Sequence, residues 1–200
     1  RKNMRVALTG VPGWLGNRFL EVLTNGFDGN GAALDADVRC ITLPNIDVSA
    51  LRGNLGKKSV EFVPGDITQE KTLEHAFDGV DLVFHIAGII HPQKISELYD
   101  INDRGTANVL KASLAAGVKK VVYVSSNSVA GTNFQRDVLL KEEDAPRPYL
   151  NYGLSKLRAE NTVKEYQASG KMQTVIVRPC WFYGPNQPLR QTTFFKMIKQ

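Results

Sequence analysis

Tyr152 and Lys156 lie four residues apart in the segment 151–156, which reads NYGLSK. Two residues at this spacing share one face of an α-helix, so the phenol and the ammonium group can meet. A phenol is a poor base because its pKa is about 10, and a neighbouring cation lowers that pKa by favouring the phenolate. The pair could therefore move a proton to or from an alcohol or carbonyl oxygen. About 0.4 such pairs are expected by chance from the numbers of Tyr and Lys in the chain, so the surrounding sequence must decide.

Three serines, Ser125, Ser126 and Ser128, follow a predicted strand in the segment YVSSNS. A hydroxyl at a strand end could orient a substrate oxygen and stabilise the charge that develops on it. Open α/β sheets bind their ligands at the carboxyl ends of the strands, which is where these serines fall. Because side chains alternate along a strand, Ser125 and Ser126 face opposite sides and only one of them can serve.

A third set of residues, Gly10, Gly13 and Gly16, stands between the first predicted strand and the first predicted helix. Glycines at such a turn let backbone N–H groups approach a pyrophosphate, which then sits at the positive end of the helix dipole. An ordinary glycine-rich turn would show the same residues, but the strand before and the helix after are the context that a dinucleotide site demands. The loop therefore predicts dinucleotide binding.

The end of the second strand should distinguish NAD from NADP, because a carboxylate there binds the ribose hydroxyls and an arginine favours the 2′-phosphate. The sequence offers Leu43, Pro44 and Asn45 at this place, with Asp47 late and Arg39 inside the strand. This test is inconclusive. Asn45 or Asp47 could meet a hydroxyl, so NAD is weakly preferred and NADP stays open.

The elements that position these residues alternate between strands and helices. Short β-branched runs predict buried strands at 5–9, 38–43, 60–63, 81–86, 120–126 and 174–178. Helical spacing falls between them, at 14–25, 69–78, 96–116, 152–169 and 191–199, and the stretches 26–37 and 133–148 read as surface loops. This alternation, with strands apolar almost throughout, predicts an α/β fold: a Rossmann-like, doubly wound parallel sheet with helices on both faces.

Composition narrows the class of protein. The hydrophobic share of 42% and the charged share of 22% are those of a soluble globular chain. No apolar run reaches the roughly 18 residues that span a bilayer, and the N-terminal segment carries no cleavage signal, so a cytoplasmic protein without a membrane partner is expected. The net charge of +5 comes from scattered residues rather than a basic stripe, which argues against nucleic acid.

Other reactive side chains make weaker candidates. Cys40 and Cys180 stand 140 residues apart inside apolar runs, which predicts buried reduced thiols rather than a disulfide or a nucleophile. His75 and His91 share no ligand spacing with other residues, so no metal site is expected. His85 lies inside an apolar strand and reads as a packed residue rather than an acid or base.

The motifs, taken in order, resemble the extended short-chain dehydrogenase/reductases, also called NAD-dependent epimerase/dehydratases. The resemblance runs through nearly the whole chain: TGVPGWLG (9–16), PGDIT (64–68), VDLVFHIAG (80–88), NDRGTANVL (102–110), KKVVYVSSNSVAG (119–131), YGLSK (152–156) and VIVRPCWFYGPNQ (175–187). Each motif is modest, but seven in the family's order form a specific signal. Ala130 stands where many members carry a tyrosine.

The resemblance implies roles for named residues. Ser126 would be the catalytic serine beside Tyr152 and Lys156. Asp66 and Ile67 would flank the adenine, and Asn102 would hold a backbone group or a water behind Lys156, although a helix N-cap explains Asn102 as well. The implied cofactor contacts are Gly10, Gly13, Trp14, Leu15, Gly16, Asp66, Ile67, Ala87, Gly88, Asn102, Lys156 and Pro179.

The family's activity supplies the functional expectation: an oxidoreductase of the epimerase or dehydratase type that acts on a nucleotide sugar through a transient keto intermediate. A dehydrogenase or reductase of a hydroxysteroid-like or flavonoid-like alcohol is the alternative, and a non-catalytic dinucleotide-sensing module that binds RNA or a partner is the rival from another class. Residues 1–188 are expected to form the dinucleotide-binding domain, and residues 189–200 the start of a substrate-binding region that is mostly absent. Relatives of this kind suggest a homodimer built on the helices near 96–116 and 152–169.

Overall fold

A six-stranded parallel sheet forms the centre of the computed structural model, which describes residues 3–26, 35–52, 55, 59–133, 135 and 137–198. Its strands are β1 (Met4–Thr9), β2 (Ala36–Thr42), β3 (Val60–Pro64), β4 (Leu82–His85), β5 (Lys120–Val124) and β6 (Gln173–Val177). Their order across the sheet is β3-β2-β1-β4-β5-β6, and each neighbouring pair is parallel. The predicted doubly wound parallel sheet is confirmed.

Helices cover both faces of this sheet. They are α1 (Trp14–Asn25), α2 (Ser49–Arg52), α3 (Ile95–Glu97), α4 (Gly105–Ala115), α5 (Leu150–Ala168) and α6 (Leu189–Ile198). A π-helical segment, Leu98–Arg104, joins α3 to α4, and single 3₁₀ turns occur at Glu70–Leu73 and Asn127–Val129.

Strand alternation divides the interior between two faces. Val6 and Leu8 of β1 face one side, where they pack in a cluster with Leu20 of α1. Ala7, between them, faces the other side and belongs to a larger cluster that includes Val109 of α4 and Val163 of α5. All six side chains are almost completely buried. Burial on both faces explains why these strands read as continuous apolar runs.

Two predicted helices differ in the structure. Residues 69–78 form only the 3₁₀ turn Glu70–Leu73 followed by turns, because Thr72 bonds to the backbone of Asp66 and Gln69, and His75 adopts a φ of 66°. The stretch 96–116 is helical but contains the π-helical segment. In residues 69–78, the local hydrogen bonds of the Thr72 side chain therefore favour a turn over the helix that the apolar spacing predicted.

The predicted surface loops are only partly described. Residues 27–34 of the loop at 26–37 lie outside the described residues, and Ala36 and Asp37 already belong to β2. Within 133–148 the described residues are almost all exposed, as expected for a surface loop. No helix in the described ranges is long and apolar enough to cross a membrane.

Candidate functional site

A cleft of about 980 Å³ opens at the carboxyl ends of β1, β4 and β5. The strand order reverses between β1 and β4, and such switch points are where open α/β sheets bind ligands. Its walls come from the glycine loop, the segment after β4, the serine segment after β5, the start of α5, and the chain from Pro179 to α6. The sequence-predicted residues that line it are Gly10, Gly13, Trp14, Leu15, Gly16, Ala87, Gly88, Ser126, Tyr152, Lys156 and Pro179.

The glycine loop is shaped by three residues that tolerate no side chain, since a Cβ on Gly13 would lie 2.7 Å from the Gly10 carbonyl oxygen. Gly10 has a φ of 92°, and a Cβ on it would lie 2.7 Å from the Ala87 nitrogen. A Cβ on Gly16 would overlap the Gly10 carbonyl oxygen. Gly13 is the N-cap of α1 and has no side chain with which to cap the first turn. The N–H groups of that turn are therefore available to an anion, as phosphate binding at a helix N-terminus requires.

Trp14 connects the glycine loop to the segment that follows β6. Its ring stacks on Phe182 with centroids 5.1 Å apart and planes 14° from parallel. Its indole N–H donates a hydrogen bond of 2.8 Å to the Pro185 carbonyl oxygen. Two opposite walls of the cleft are therefore held together by one side chain.

The two adjacent serines have different surroundings. The Ser125 hydroxyl is buried and donates to Glu160 Oε1 at 2.6 Å. The Ser126 hydroxyl accepts from the Ser128 backbone N–H at 3.1 Å, at the start of the turn Asn127–Val129. The Ser125 hydroxyl is thus engaged by Glu160, which leaves Ser126 as the candidate, and its contact with a substrate stays a prediction.

Tyr152 lies near the N-terminal end of α5 and is half-buried in the cleft. Burial raises the pKa of its phenol, and the neighbouring Ser126 hydroxyl acts in the opposite direction. The spacing predicted that Lys156 lowers the pKa of Tyr152, and this prediction is wrong because the pKa is raised instead. The Lys156 ammonium contacts other groups, so desolvation of the phenolate dominates.

Lys156 is almost completely buried, with three contacts that matter for its charge. Its Nζ donates to the Val124 carbonyl oxygen at 2.8 Å and lies 4.5 Å from the centroid of the Tyr123 ring. Burial lowers the pKa of Lys156 to about 7, and the charge of Glu160, one helical turn further along α5, opposes that shift. Lys156 therefore changes its protonation state near neutral pH.

Asn102 lies in the π-helical segment and is not the N-cap that offered an alternative explanation. Its amide donates to the Ile89 carbonyl oxygen at 2.9 Å and to Ser155 Oγ at 3.0 Å, and its Oδ1 accepts from the Ile89 N–H at 2.8 Å. A Cβ on Gly88 would lie 3.1 Å from Asn102 Oδ1 and 3.6 Å from Lys156 Nζ. Asn102 therefore fixes the turn after β4 beside the lysine, although it does not line the cleft itself.

His85 is fully buried at the end of β4, where it joins two threonines. Thr106 donates its hydroxyl proton to the Asn102 carbonyl oxygen at 2.6 Å, so it accepts from His85 Nε2 at 2.9 Å. His85 Nδ1 then accepts from Thr9 Oγ1 at 2.7 Å. Burial and the charge of Lys156 lower the pKa of His85 to about 3. The histidine is a neutral packed residue, as its strand position indicated.

Glu160 is a residue that the sequence argument missed. Its carboxylate is fully buried and binds Arg178 through Nε at 2.8 Å and Nη2 at 2.6 Å, besides accepting from Ser125. Glu160 follows Lys156 by four positions and Tyr152 by eight, on one face of α5. That spacing was a usable signal, but its partner Arg178 comes from a different element.

Two residues expected at the adenine lie outside the lining of the cleft. Asp66 Oδ1 accepts from the backbone N–H and the hydroxyl of Thr68 at 2.9 and 2.8 Å. Ile67 packs so closely that a Cβ on Gly105 would lie 2.9 Å from its Cδ1. Their contact with an adenine stays a prediction.

Basic and acidic residues near the end of β2 bear on cofactor choice. Arg39 lies inside the strand, as expected, and binds Glu61 at 2.7 Å and the carbonyl oxygens of Ala76 and Asp78 at 3.0 Å each. Asp47 is exposed, and its hydrogen bonds with Ser49 hold the pKa of its carboxyl below the usual range. Arg39 is thus occupied, and Asp47 is a carboxylate at neutral pH.

The cysteines are only partly as predicted. Cys40 is buried in β2, and burial raises the pKa of its thiol to about 12. Cys180 is exposed and lines the cleft, so the prediction that it is buried is wrong: β6 ends at Val177, before the apolar run does. Among the described residues, no group of three His, Cys, Asp or Glu side chains could hold a metal ion.

The chain belongs to the NAD-dependent epimerase/dehydratase family, whose model matches residues 6–200. An uncharacterized protein of Sinorhizobium fredii, y4nL, is 40% identical over 98% of this chain and 55% of its own length. The UDP-glucose 4-epimerase of Vibrio cholerae is 28% identical over 98% of this chain and 57% of its own length. The solved structure of MoeE5 in complex with UDP-glucuronic acid and NAD is 26% identical with a TM-score of 0.73, covering 92% of this chain and 57% of that one.

The family predicted from the motifs is therefore confirmed, and it is an NAD-dependent family by description. The chain spans little more than half the length of the curated relatives it matches.

Proposed function

We propose that this chain binds NAD in the cleft and oxidises and reduces a hydroxyl-bearing carbon of a nucleotide sugar, as an epimerase or dehydratase does. One observation carries the proposal: Ser126, Tyr152 and Lys156 line the same cleft as the glycine loop. Membership of the family and the NAD and nucleotide sugar named for the MoeE5 complex support it.

The cleft fits a dinucleotide. Gly10 and Gly16 allow the loop to pack closely against the backbone of Ala87 and of Gly10 itself, where any side chain would collide, and the first turn of α1 offers N–H donors beside them. Among the described residues, those that line the cleft include no Asp or Glu, so none of them repels a pyrophosphate. Gly10, Gly13, Trp14, Leu15, Gly16, Ala87, Gly88, Lys156 and Pro179 would hold the cofactor.

NAD, when bound, supplies the acceptor and the donor of a hydride. Tyr152 would take the proton of the substrate hydroxyl while its carbon is oxidised, and would return it when the resulting carbonyl is reduced. Ser126 would donate a hydrogen bond to the same oxygen and stabilise the charge on it. Lys156 would bind ribose hydroxyls of the cofactor. Tyr152 would accept the proton as its phenolate, the form that the positive charge of oxidised NAD favours.

NAD is the preferred cofactor. Arg39 is almost completely buried and uses three of its five N–H donors to hold Glu61 and two carbonyl groups, so it is poorly placed for a 2′-phosphate. Asp47 carries a negative charge that suits a ribose hydroxyl and would repel a phosphate.

Substitution of Tyr152 by Phe tests the catalytic assignment. We expect Tyr152→Phe to bind NADH as the parent protein does, measured by cofactor fluorescence, because the hydroxyl is the only group lost. Its kcat with the substrate found in a panel of UDP- and dTDP-sugars should fall by about 10²-fold or more, the contribution of a positioned acid or base.

Tyr166→Phe is the matched control, since it makes the same change on the same helix at a residue that does not line the cleft. Unchanged turnover in Tyr152→Phe would contradict the assignment. Absence of NADH and NADPH binding to the full-length protein at millimolar concentration would contradict the cofactor proposal as well.

An apolar alcohol is the second candidate substrate class. Ile90, Leu150, Trp181 and Phe194 line the cleft and would suit a hydroxysteroid-like or flavonoid-like ring. Such alcohols therefore belong in the same panel. A non-catalytic dinucleotide-binding module is disfavoured because the chain retains Ser126, Tyr152 and Lys156, and nucleotide binding without turnover of any compound would favour it. Assembly as a homodimer stays a prediction.

A further inference from the structure

The charged side chains of the cleft all have the same sign. Lys156 lies beside the reaction site, and Arg190 contributes a second cation from the first turn of α6. His91, which follows β4, is a further basic side chain in the lining, and no carboxylate lines the cleft among the residues that the structure describes. A cleft of this kind favours ligands that carry negative charge in more than one place.

Arg190 is positioned by a basic residue rather than by an acid. Its Nη1 contacts Nε2 of His91 across the cleft. A guanidinium has only donors, so the ring nitrogen of His91 is the acceptor in this contact. Within the described ranges, no Asp or Glu forms an ion pair with Arg190. The guanidinium keeps its charge and has further N–H donors for an anion.

Gln191, the next residue of α6, adds a buried acceptor to the same wall. Its side-chain amide donates to the Phe182 carbonyl oxygen at 3.1 Å, and the residue is only 5% exposed. Its Oε1 is buried and has no hydrogen-bond partner among the residues described here. An unpaired buried acceptor is costly, so a ligand hydroxyl that donates to it would gain correspondingly.

We propose that Arg190, oriented by His91, binds an anionic group of the substrate, a carboxylate or a phosphate, and that Gln191 Oε1 accepts from a substrate hydroxyl. The proposal rests on the proposed function and adds to it the residues that recognise the anionic part of the nucleotide sugar, either its diphosphate or a carboxylate on the sugar. A planar fork of donors matches the oxygens of either anion. The pair His91 and Arg190 would then select substrates, and Ser126, Tyr152 and Lys156 would act on them.

The test measures binding rather than turnover, in the full-length Tyr152→Phe protein saturated with NAD, by calorimetry. UDP, UDP-glucose and UDP-glucuronate share the diphosphate, and only the last adds a carboxylate. We expect Arg190→Met to weaken binding by about 10- to 100-fold, as loss of a charged hydrogen bond does. If Arg190→Met binds all three ligands more weakly, the group that Arg190 binds is the phosphate. If it binds only UDP-glucuronate more weakly, that group is the carboxylate.

Lys196→Met removes the same charge from the same helix at an exposed residue outside the cleft, and it should leave all three affinities unchanged. Gln191→Met should weaken UDP-glucose and UDP-glucuronate about 5-fold and leave UDP unchanged, because only the sugars bring the added hydroxyls.

Three results would overturn the inference. Equal affinities in Arg190→Met and the parent protein would remove the anion site, and weaker NADH binding in that variant would make Arg190 a cofactor residue instead. Failure of the parent protein to bind either UDP-sugar would overturn the inference together with the nucleotide-sugar part of the proposed function. If the parent protein binds the UDP-sugars and Arg190→Met binds them equally well, only this inference is contradicted and the proposed function is not.

Discussion

At the scale of single residues, the site depends on how burial competes with charge. Lys156 lies in a nearly dry position that disfavours its ammonium form, while Glu160, the Val124 carbonyl and the Tyr123 ring favour it. Burial also disfavours the charged form of Tyr152, which is the phenolate, and therefore raises its pKa. Both groups are therefore held nearer their neutral forms, from which a bound cofactor and substrate can shift them.

The lowered pKa of Lys156 predicts a dependence of stability on pH. The pKa is about 7 in the folded protein and 10.5 for an ordinary lysine, so between these values the unfolded chain binds more protons. Its burial penalty is complete below pH 7 and disappears by about pH 10.5, so this residue makes stability rise with pH in that window.

We expect the free energy of unfolding of the parent protein, relative to Lys156→Met, to increase from pH 7 to pH 10 with a slope of at most about 1.4 kcal/mol per pH unit. Urea denaturation at several pH values measures it. Lys171→Met, an exposed control that follows α5, should show no such trend. A flat difference between the parent and Lys156→Met would contradict the lowered pKa.

Residue types and spacing reveal part of this site. Tyr152, Lys156 and the glycines could be predicted because each acts with neighbours close in sequence. The spacing of Glu160 placed it on the same helix face, but its ion pair and the buried network around His85 could not be predicted, since their partners Arg178 and Thr106 come from other elements. The direction of the Tyr152 pKa was also beyond sequence reasoning, because it depends on how deeply the helix is packed.

At the scale of elements, the π-helical segment Leu98–Arg104 is the part of the fold that sequence spacing could not reveal. Apolar periodicity predicts one helix across 96–116, and a π turn hardly changes that pattern. Its position is fixed instead by Asn102, which contacts Ile89 and Ser155. The six strands and the helices α1, α5 and α6 were predicted within a few residues. The four-residue helix α2 was not predicted because it is too short to show a period, and the helix predicted at 69–78 does not form.

Asn102→Ala should show what this segment contributes. The substitution leaves the N–H and carbonyl groups of Ile89 without their partner, so we expect a loss of about 1–3 kcal/mol in the free energy of unfolding. Weaker NADH binding should accompany it, because the turn after β4 borders the cleft. Urea denaturation and fluorescence titration measure the two effects.

Asn161→Ala makes the same change at an exposed residue of α5 and should alter neither quantity by more than about 0.5 kcal/mol. Equal stability of the two variants would show that Asn102 does not hold the turn.

At the scale of the whole molecule, the cleft lies where the two halves of the sheet meet. The half β3-β2-β1 carries the glycine loop, and the half β4-β5-β6 carries the serine segment and packs against α5. A dinucleotide in the cleft would contact both halves, whereas each mononucleotide alone would contact one. Cofactor binding should therefore stabilise the molecule as a unit.

Thermal unfolding provides the measurement. NAD at 100 times its Kd should stabilise the folded state by about 2.7 kcal/mol and raise Tm by about 5–10 °C. AMP and nicotinamide mononucleotide, added together at the same concentration, should raise Tm less because neither bridges the two halves. An equal shift from the separate halves would contradict a bridging site.

The stacking of Trp14 on Phe182 has a consequence for protein engineering. A phosphate-binding loop transplanted from a relative with a smaller side chain at position 14 would leave Phe182 unstacked and the Pro185 carbonyl without its donor. Such an exchange would be intended to change only the affinity for the cofactor, but it would also change the wall of the cleft that contacts the substrate. Because these contacts join residues 10–16 to residues 179–188, both segments should be replaced together when either is exchanged for that of a relative.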